Sequence, residues 1–258
     1  MSLPTDTAHR IRIVLVGTQH PGNIGAAARA MRTMGLARLV LVAPEKRPDL
    51  TTTSMAAGAE ALAFDAPVHA TLAEAVADCR LVLGCTARGR RIALEELSPR
   101  EAGSRAVAAA GSGAEVALVF GRERTGLDND ELQLCHAAVR IPSDPEFPSL
   151  NLAAAVQVLA YEVRMEILGG AAAEAIEPAE AAASHAELEG FFGQLGDMLD
   201  AIDFHKGRAP ESAMRKLRRV FLRADMTARE VRLLRGVLAD AQRIASLAAD
   251  ADDAGRFG

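Results

Sequence analysis

Short apolar runs separated by polar, glycine-bearing loops make up the first two thirds of this chain. Ile11 to Val16, Arg38 to Val42, Leu81 to Gly84, Val116 to Phe120 and Ala137 to Ile141 each have the length of a buried strand. The segments between them carry helical spacing. Helices are predicted over Asn23–Met34, around Ser54–Leu62, and over Leu72–Ala77 and Arg100–Ala110; the stretch near Val68 has no clear period. Asn23 is placed to cap the first helix and Gly35 to end it. Within that helix Gly25, Ala26, Ala27, Ala28 and Ala30 form a face almost without side chain, open to close approach by a strand, a ligand or a partner subunit. Buried strands alternating with helices predict an α/β domain, a mostly parallel sheet with helices on both faces.

From Ser149-Leu150-Asn151 a long helix runs over Leu152–Leu168, with Val156, Leu159, Ala160 and Val163 at helical spacing, and Gly169-Gly170 stops it. Residues 1–170 thus read as one domain and 171–184 as an Ala/Glu/Pro linker. Residues 185–250 read as a small all-helical appendage with three helices, His185–Ile202, Glu211–Leu222 and Thr227–Leu247. The middle one contains MRKLRRVFLR, basic and amphipathic, with Leu217, Val220 and Phe221 assigned to one face.

Composition narrows the class. Half of the residues are hydrophobic, with one Tyr and no Trp, so the core rests on aliphatic packing. The apolar runs are far shorter than a membrane span, and Met1 to Arg10 has no export pattern, so a cytoplasmic protein without membrane contact is expected. Cys79, Cys85 and Cys135 are an odd set without paired spacing, which predicts reduced thiols and no metal site. The net charge of −5 conceals an asymmetry. Ala171 to Asp203 holds eight acidic residues and no Lys or Arg, whereas Phe204 to Arg243 holds eleven Lys or Arg against four acids.

The candidate chemistry lies in loops at strand ends. Gly17 to Gly22, Cys85 to Arg91, Gly121 to Gly126 and Pro142 to Ser149 are rich in Gly, Pro, Ser and Asn and carry Arg. Four such loops favour a nucleotide-like ligand held by main-chain groups at the carboxyl ends of the strands. The loop after the first strand, GTQHPGNIG, fits neither a dinucleotide fingerprint nor a P-loop. Arg29 stands out because it sits in the Ala-rich turns. Glu123, between Arg122 and Arg124, is either a surface ion cluster or an organiser of the site. His20 and His136 qualify for proton transfer by residue type alone.

Three segments carry a resemblance. PGNIGAAARAM (Pro21 to Met31), LVFGRERTGL (Leu118 to Leu127) and IPSDPEFPSLNLAAAVQ (Ile141 to Gln157) resemble, in order and spacing, the three motifs of the SPOUT RNA 2′-O-methyltransferases. With SLNLAAAVQVLAYEVRM and the tail KLRRVFLRA…LLRGVLA, the chain is most similar to the bacterial tRNA (cytidine/uridine-2′-O-)-methyltransferases of the TrmJ type, over nearly its whole length. The resemblance implies a trefoil-knotted α/β domain, S-adenosylmethionine (SAM) as methyl donor with no metal, a homodimer, and tRNA as acceptor at the ribose of cytidine or uridine 32 in the anticodon loop. The same motifs also serve ribosomal-RNA 2′-O-methyltransferases and would survive in a non-catalytic RNA-binding knot.

Carried over residue by residue, the resemblance assigns Cys85, Thr86, Ala87, Gly121, Ile141, Pro148, Ser149, Leu150 and Asn151 to cofactor binding. It assigns Asn23, Arg29 and Glu123 to catalysis. Lys206, Arg208, Arg215, Lys216, Arg218, Arg219 and Arg223 are the cations expected to track RNA phosphates. Gly17 stands where related enzymes often have Glu, and Cys85 and Pro148 where Ser or Thr is common.

Overall fold

The computed structural model describes residues 4–87, 94–169, 182–206 and 209–256. In chain order the first unit contains α1 (Pro4–His9), β1 (Ile11–Val16), α2 (Pro21–Thr33), β2 (Arg38–Val42), α3 (Leu50–Ala56), α4 (Glu60–Phe64) and β3 (Val68–His69). It continues with α5 (Leu72–Ala75), β4 (Leu81–Cys85), β5 (Glu95–Leu97), α6 (Pro99–Gly111), β6 (Val116–Phe120), α7 (Asn129–Gln133), β7 (Ala137–Val139) and α8 (Leu152–Gly169). The seven strands form one sheet in the order β3-β2-β1-β6-β4-β7-β5. Every neighbouring pair is parallel. β1 and β6 are buried along their whole length, as a sheet covered on both faces requires.

The alternation inside β1 shows how the two faces are filled. Ile11, Ile13 and Leu15 enter one core with residues of α2, α6 and α8, while Val14 and Val16 enter a second core with Leu72, Leu127 and Leu132. Arg12 shares that second face yet is buried, at 6 % exposure. Its guanidinium pairs with Asp78 at 2.6 Å and Glu115 at 3.0 Å, and Glu115 also binds Arg38. The pairing supplies the charge balance without which a buried guanidinium would be costly.

Several expectations are corrected. Asn23 does not cap α2. His20 is the cap residue, Pro21 opens the helix, and the Asn23 side chain is used elsewhere. The single helix expected around Ser54–Leu62 is two, because the chain turns at Ala57 and Gly58, both with positive φ. The unassigned stretch at Val68 is a two-residue edge strand. β5 and α7 were not expected: β5 is too short to show a period, and α7 is marked only by its Asp128/Glu131 capping box. β7 ends at Val139, two residues early. Arg88 to Arg91 of the second loop lie outside the described residues.

The small-residue face of α2 meets α3. A Cβ at Gly25 would lie 2.2 Å from the backbone oxygen of Thr52, and Thr52 itself is buried and donates to the Pro21 carbonyl at 3.0 Å.

The second unit is separate. It holds α9 (His185–Ala201), α10 (Pro210–Arg223) and α11 (Ala228–Arg256). Of the expected linker, residues 171–181 lie outside the described residues, but its last residues belong to this unit. Ala182 bridges Thr227, Ala183 is buried, and Ser184 caps α9 in a capping box with Glu187. Phe191, Phe192 and Phe221 form the aromatic centre, with Phe191 and Phe221 4.8 Å apart edge to face. Met214, Leu217 and Phe221 pack on that centre, whereas Val220 is 53 % exposed, contrary to its assigned face. At about 100° per residue, Val220 lies a full step away from Phe221 toward the basic side of the helix.

Replacing Gly25 by Ala is expected to cost about 1–3 kcal/mol, because α2 and α3 must separate to admit a methyl group. Urea unfolding of the full chain measures this, and an unchanged midpoint would show that the two helices part without cost.

Candidate active site

The carboxyl ends of β4 and β6, the loop after β7 and the start of α8 enclose a cleft of about 290 Å³. Cys85, Thr86, Ala87, Gly121, Ile141, Pro148, Ser149 and Leu150 all line it, so eight of the nine expected cofactor residues are gathered in one place. The sheet order explains this convergence: β6 and β4 are neighbours, and β7 follows beside β4. Phe120, Arg122, Glu123, Arg124, Thr125, Gly126, Leu152 and Ala155 complete the lining. Of these, Phe120, Leu152 and Ala155 carry no signal in the sequence beyond core hydrophobicity, while Arg122 and Arg124 were visible as a charged cluster.

Asn151 is the ninth residue, and it does not line the cleft. Its side-chain oxygen accepts from the Ala153 N–H at 2.9 Å at the start of α8, and its amide donates to Asn23 Oδ1 at 3.1 Å. Asn23 in turn donates through Nδ2 to Glu123 Oε1 at 2.8 Å. Glu123 also accepts from the backbone N–H of Gln19 at 3.0 Å and of His20 at 3.3 Å. One carboxylate therefore ties the loop after β6 to the loop after β1 and, through two Asn side chains, to α8. Partial burial works against its charge. The Asn23 amide and the Gln19 and His20 N–H groups outweigh burial and hold the carboxyl below the usual carboxylate range.

Arg122 is ion-paired with Glu131 at 3.0 Å, and Gly126 N–H closes the turn on the Arg122 carbonyl at 2.8 Å. Its side chain lies over Gly17, where φ is +59° and a Cβ would come within 2.8 Å of Arg122 Cγ and Nε. A side chain at position 17 would therefore require Arg122 to move and would carry the strain of a left-handed backbone, which glycine avoids.

Cys85 contributes no nucleophile, because burial pushes its thiol up to about 12. Beside Pro148, whose carbonyl accepts from Ser143 Oγ at 2.9 Å, Ser149 brings a hydroxyl to the lining. Arg29 is exposed on α2, lies outside the lining, and makes no ion pair or hydrogen bond among the described residues. His136 has a structural place: its N–H donates to the Val82 carbonyl, and its Nδ1 accepts from the Val82 N–H at 3.1 Å, joining β4 to the start of β7.

In the helical unit, Arg215, Lys216, Arg219 and Arg223 fall within an arc of about 100° on α10, opposite its packed residues. Arg218 is outside that stripe. It is bonded to Glu189 through both terminal nitrogens and lies 4.3 Å over the Phe192 ring, so it serves the unit's own packing. Lys206 is exposed on the preceding turn, and Arg208 lies outside the described residues.

Comparison with known proteins shows what the chain is similar to. Residues 10–161 match the model of the SpoU rRNA Methylase family, and residues 186–250 match that of the tRNA methyltransferase TrmJ, C-terminal domain. The tRNA (cytidine/uridine-2′-O-)-methyltransferase TrmJ of Cronobacter sakazakii is 48 % identical over 232 residues, covering 89 % of this chain and 94 % of the relative. The protein of the same name from Klebsiella pneumoniae is 48 % identical over 241 residues, covering 90 % and 96 %. The crystal structure of TrmJ from Z. mobilis ZM4 superposes with a TM-score of 0.77 at 35 % identity, covering 89 % of this chain and 97 % of that one.

Replacing Glu123 by Gln should lower the urea-unfolding midpoint. Because the folded-state pKa is depressed, the ionised carboxylate stabilises fully above about pH 5, and its contribution fades as pH falls through and below the usual carboxylate range. The gap between variant and wild type should close in that window; a gap independent of pH would show that the charge is not its source.

Proposed function

The chain belongs to the SpoU methylase family, in its TrmJ branch, and we propose that it transfers a methyl group from SAM to the ribose 2′-oxygen of tRNA. The observation that carries this reading is the cleft itself. Eight residues assigned by the resemblance line it, and the Glu123–Asn23–Asn151 chain fixes its walls. The lining suits the donor. Ile141, Leu150, Leu152 and Ala155 offer apolar surface for an adenine, Thr86 and Ser149 offer hydroxyls, and Glu123 offers the negative charge that a sulfonium favours. Bound SAM supplies a methyl group already activated on sulfur, so the reaction needs no covalent enzyme intermediate.

The chain's own residues must orient the acceptor and lower the cost of its developing negative charge. A guanidinium is a poor base at neutral pH. Arg29 accordingly acts as an electrostatic stabiliser of the nascent alkoxide or as a clamp on the neighbouring phosphate. Its exposure, and the lack of an ion pair among the described residues, leave the charge available for that role. The acceptor is cytidine or uridine 32 of the anticodon loop, the enzyme works as a homodimer, and its setting is the cytoplasm; the resemblance to the TrmJ enzymes supports all three. The stripe Arg215, Lys216, Arg219 and Arg223, with Lys206 and Arg208, tracks tRNA phosphates, and Arg218 holds α10 to α9.

Purified protein given labelled SAM and unmodified tRNA or ribosomal RNA should methylate only tRNA, at a single ribose; label confined to ribosomal RNA would overturn the reading. Arg29→Ala should bind SAM as wild type does while kcat falls by about 100-fold or more, and a comparable loss of SAM affinity would contradict its role. Replacing Arg215, Arg219 and Arg223 together by Ala should weaken tRNA binding and reduce the logarithmic salt dependence by about 2–3. An unchanged slope would remove these cations from the interface.

A further inference from the structure

The loop that brings Pro148, Ser149 and Leu150 to the cleft also presents Phe147, which is 81 % exposed. The other aromatic residue at the cleft, Phe120, is 2 % exposed and belongs to the core. A bare phenyl ring is usually tolerated on a pliable segment, where it can fold back against the surface. Here the segment is tied down. Phe147 N–H donates to the Asp144 carbonyl at 3.1 Å, Glu146 N–H to Asp144 Oδ1 at 2.7 Å, and Ser143 Oγ to the Pro148 carbonyl at 2.9 Å. Pro145 and Pro148 further restrict the backbone on either side. The backbone is thus fixed directly before Pro148, which lines the cleft, and the Phe147 ring, absent from that lining, is left exposed.

We propose that Phe147 is a stacking platform for a nucleobase of the RNA acceptor, adjacent to the ribose being methylated; this rests on the reading of the cleft as an RNA 2′-O-methylation site. Single-stranded loops are recognised by splaying bases onto aromatic rings, and a rigid ring loses little freedom when a base stacks on it. The local charges fit a base rather than a phosphate. Asp144 and Glu146 precede Phe147 in the same loop and disfavour a phosphate there, and the Asp144 carboxylate is engaged by the Glu146 N–H. A cation suited to a phosphate, Arg124, lines the same cleft from the loop after β6, exposed and without an ion pair or hydrogen bond among the described residues. The donor's adenine has its apolar walls inside the cleft in Ile141, Leu150 and Leu152, which leaves the outer ring to the acceptor.

Two variants of the full-length protein test this. Phe147→Ala should raise the KM for unmodified tRNA by about five- to a hundredfold, with the SAM dissociation constant within twofold of wild type, and Phe147→Tyr should restore the lower KM. The chain has no Trp, so Phe147→Trp introduces a single indole whose fluorescence should be quenched by tRNA without SAM and much less by SAM alone. Three results would overturn the inference: an unchanged KM in Phe147→Ala, a loss of SAM affinity equal to the rise in KM, or dissociation of a dimer formed by wild type. The second would make Phe147 a cover for the donor, the third a subunit contact. Failure of wild type to methylate any RNA would instead count against the parent reading, and the quenching of F147W by tRNA would still decide whether the ring meets a base.

Discussion

A single carboxylate holds the cleft end of this sheet together. Glu123 sits in the loop after β6, yet its hydrogen bonds go to the loop after β1 and to α2. Strands that lie side by side deliver their exit loops to the same edge, but adjacency alone leaves those loops free to splay. The carboxylate removes that freedom by collecting two backbone N–H groups and an amide, and the amide passes the constraint to Asn151 and α8. Three segments that are distant in sequence thereby share one geometry. Each acidic or amide residue in this chain has a side-chain partner in the next, so weakening one member affects the positions of the others.

The opposite end of the sheet is held by the same chemistry with the signs exchanged. There a buried cation, Arg12, collects carboxylates from Asp78 and Glu115, and Glu115 also draws in Arg38. The paired acids outweigh burial and keep the guanidinium charged, while Asp78 is held below its usual range. The central strands are thus pinned at both ends by charge, with only apolar side chains between. This arrangement keeps the register of β1 against β2 and β6 from slipping.

Much of this was legible in the order of residues. β1, β2, β4 and β6 could be read because each is a short apolar run bounded by glycine or charge, and α8 because its apolar positions keep helical spacing over many turns. Of the expected cleft-lining residues, Gly121, Ile141, Pro148, Ser149 and Leu150 lie in two of the three motifs and Cys85, Thr86 and Ala87 in the loop after β4, and the sheet order brings these loops together. Other features depend on contacts between distant segments. Asn23 looks like a helix cap, but its side chain is taken up by Glu123 and Asn151, 100 and 128 residues away. Arg218 has the same local pattern as the cations around it, and Glu189 and Phe192 set it apart. Arg12 reads as a polar interruption in a strand until Asp78 is placed beside it. β5 and α7 are too short for periodicity to reveal, since neighbours rather than their own pattern hold them in place.

The central pairing of β1 with β6 also has a consequence for how the chain is made. Ile11 lies beside Val116, so β1, once made, has to wait for about a hundred further residues before its second neighbour exists. At ordinary synthesis rates that wait lasts on the order of 5–20 s. During it β1 can pair with β2 but leaves its other edge open, with Ile13, Val14 and Leu15 uncovered. The cleft end, which is tied by Glu123 and then Asn151, is assembled later still. The same long-range contact that fixes the mature site therefore makes the nascent chain dependent, for several seconds, on whatever shields an unfinished sheet edge in the cell.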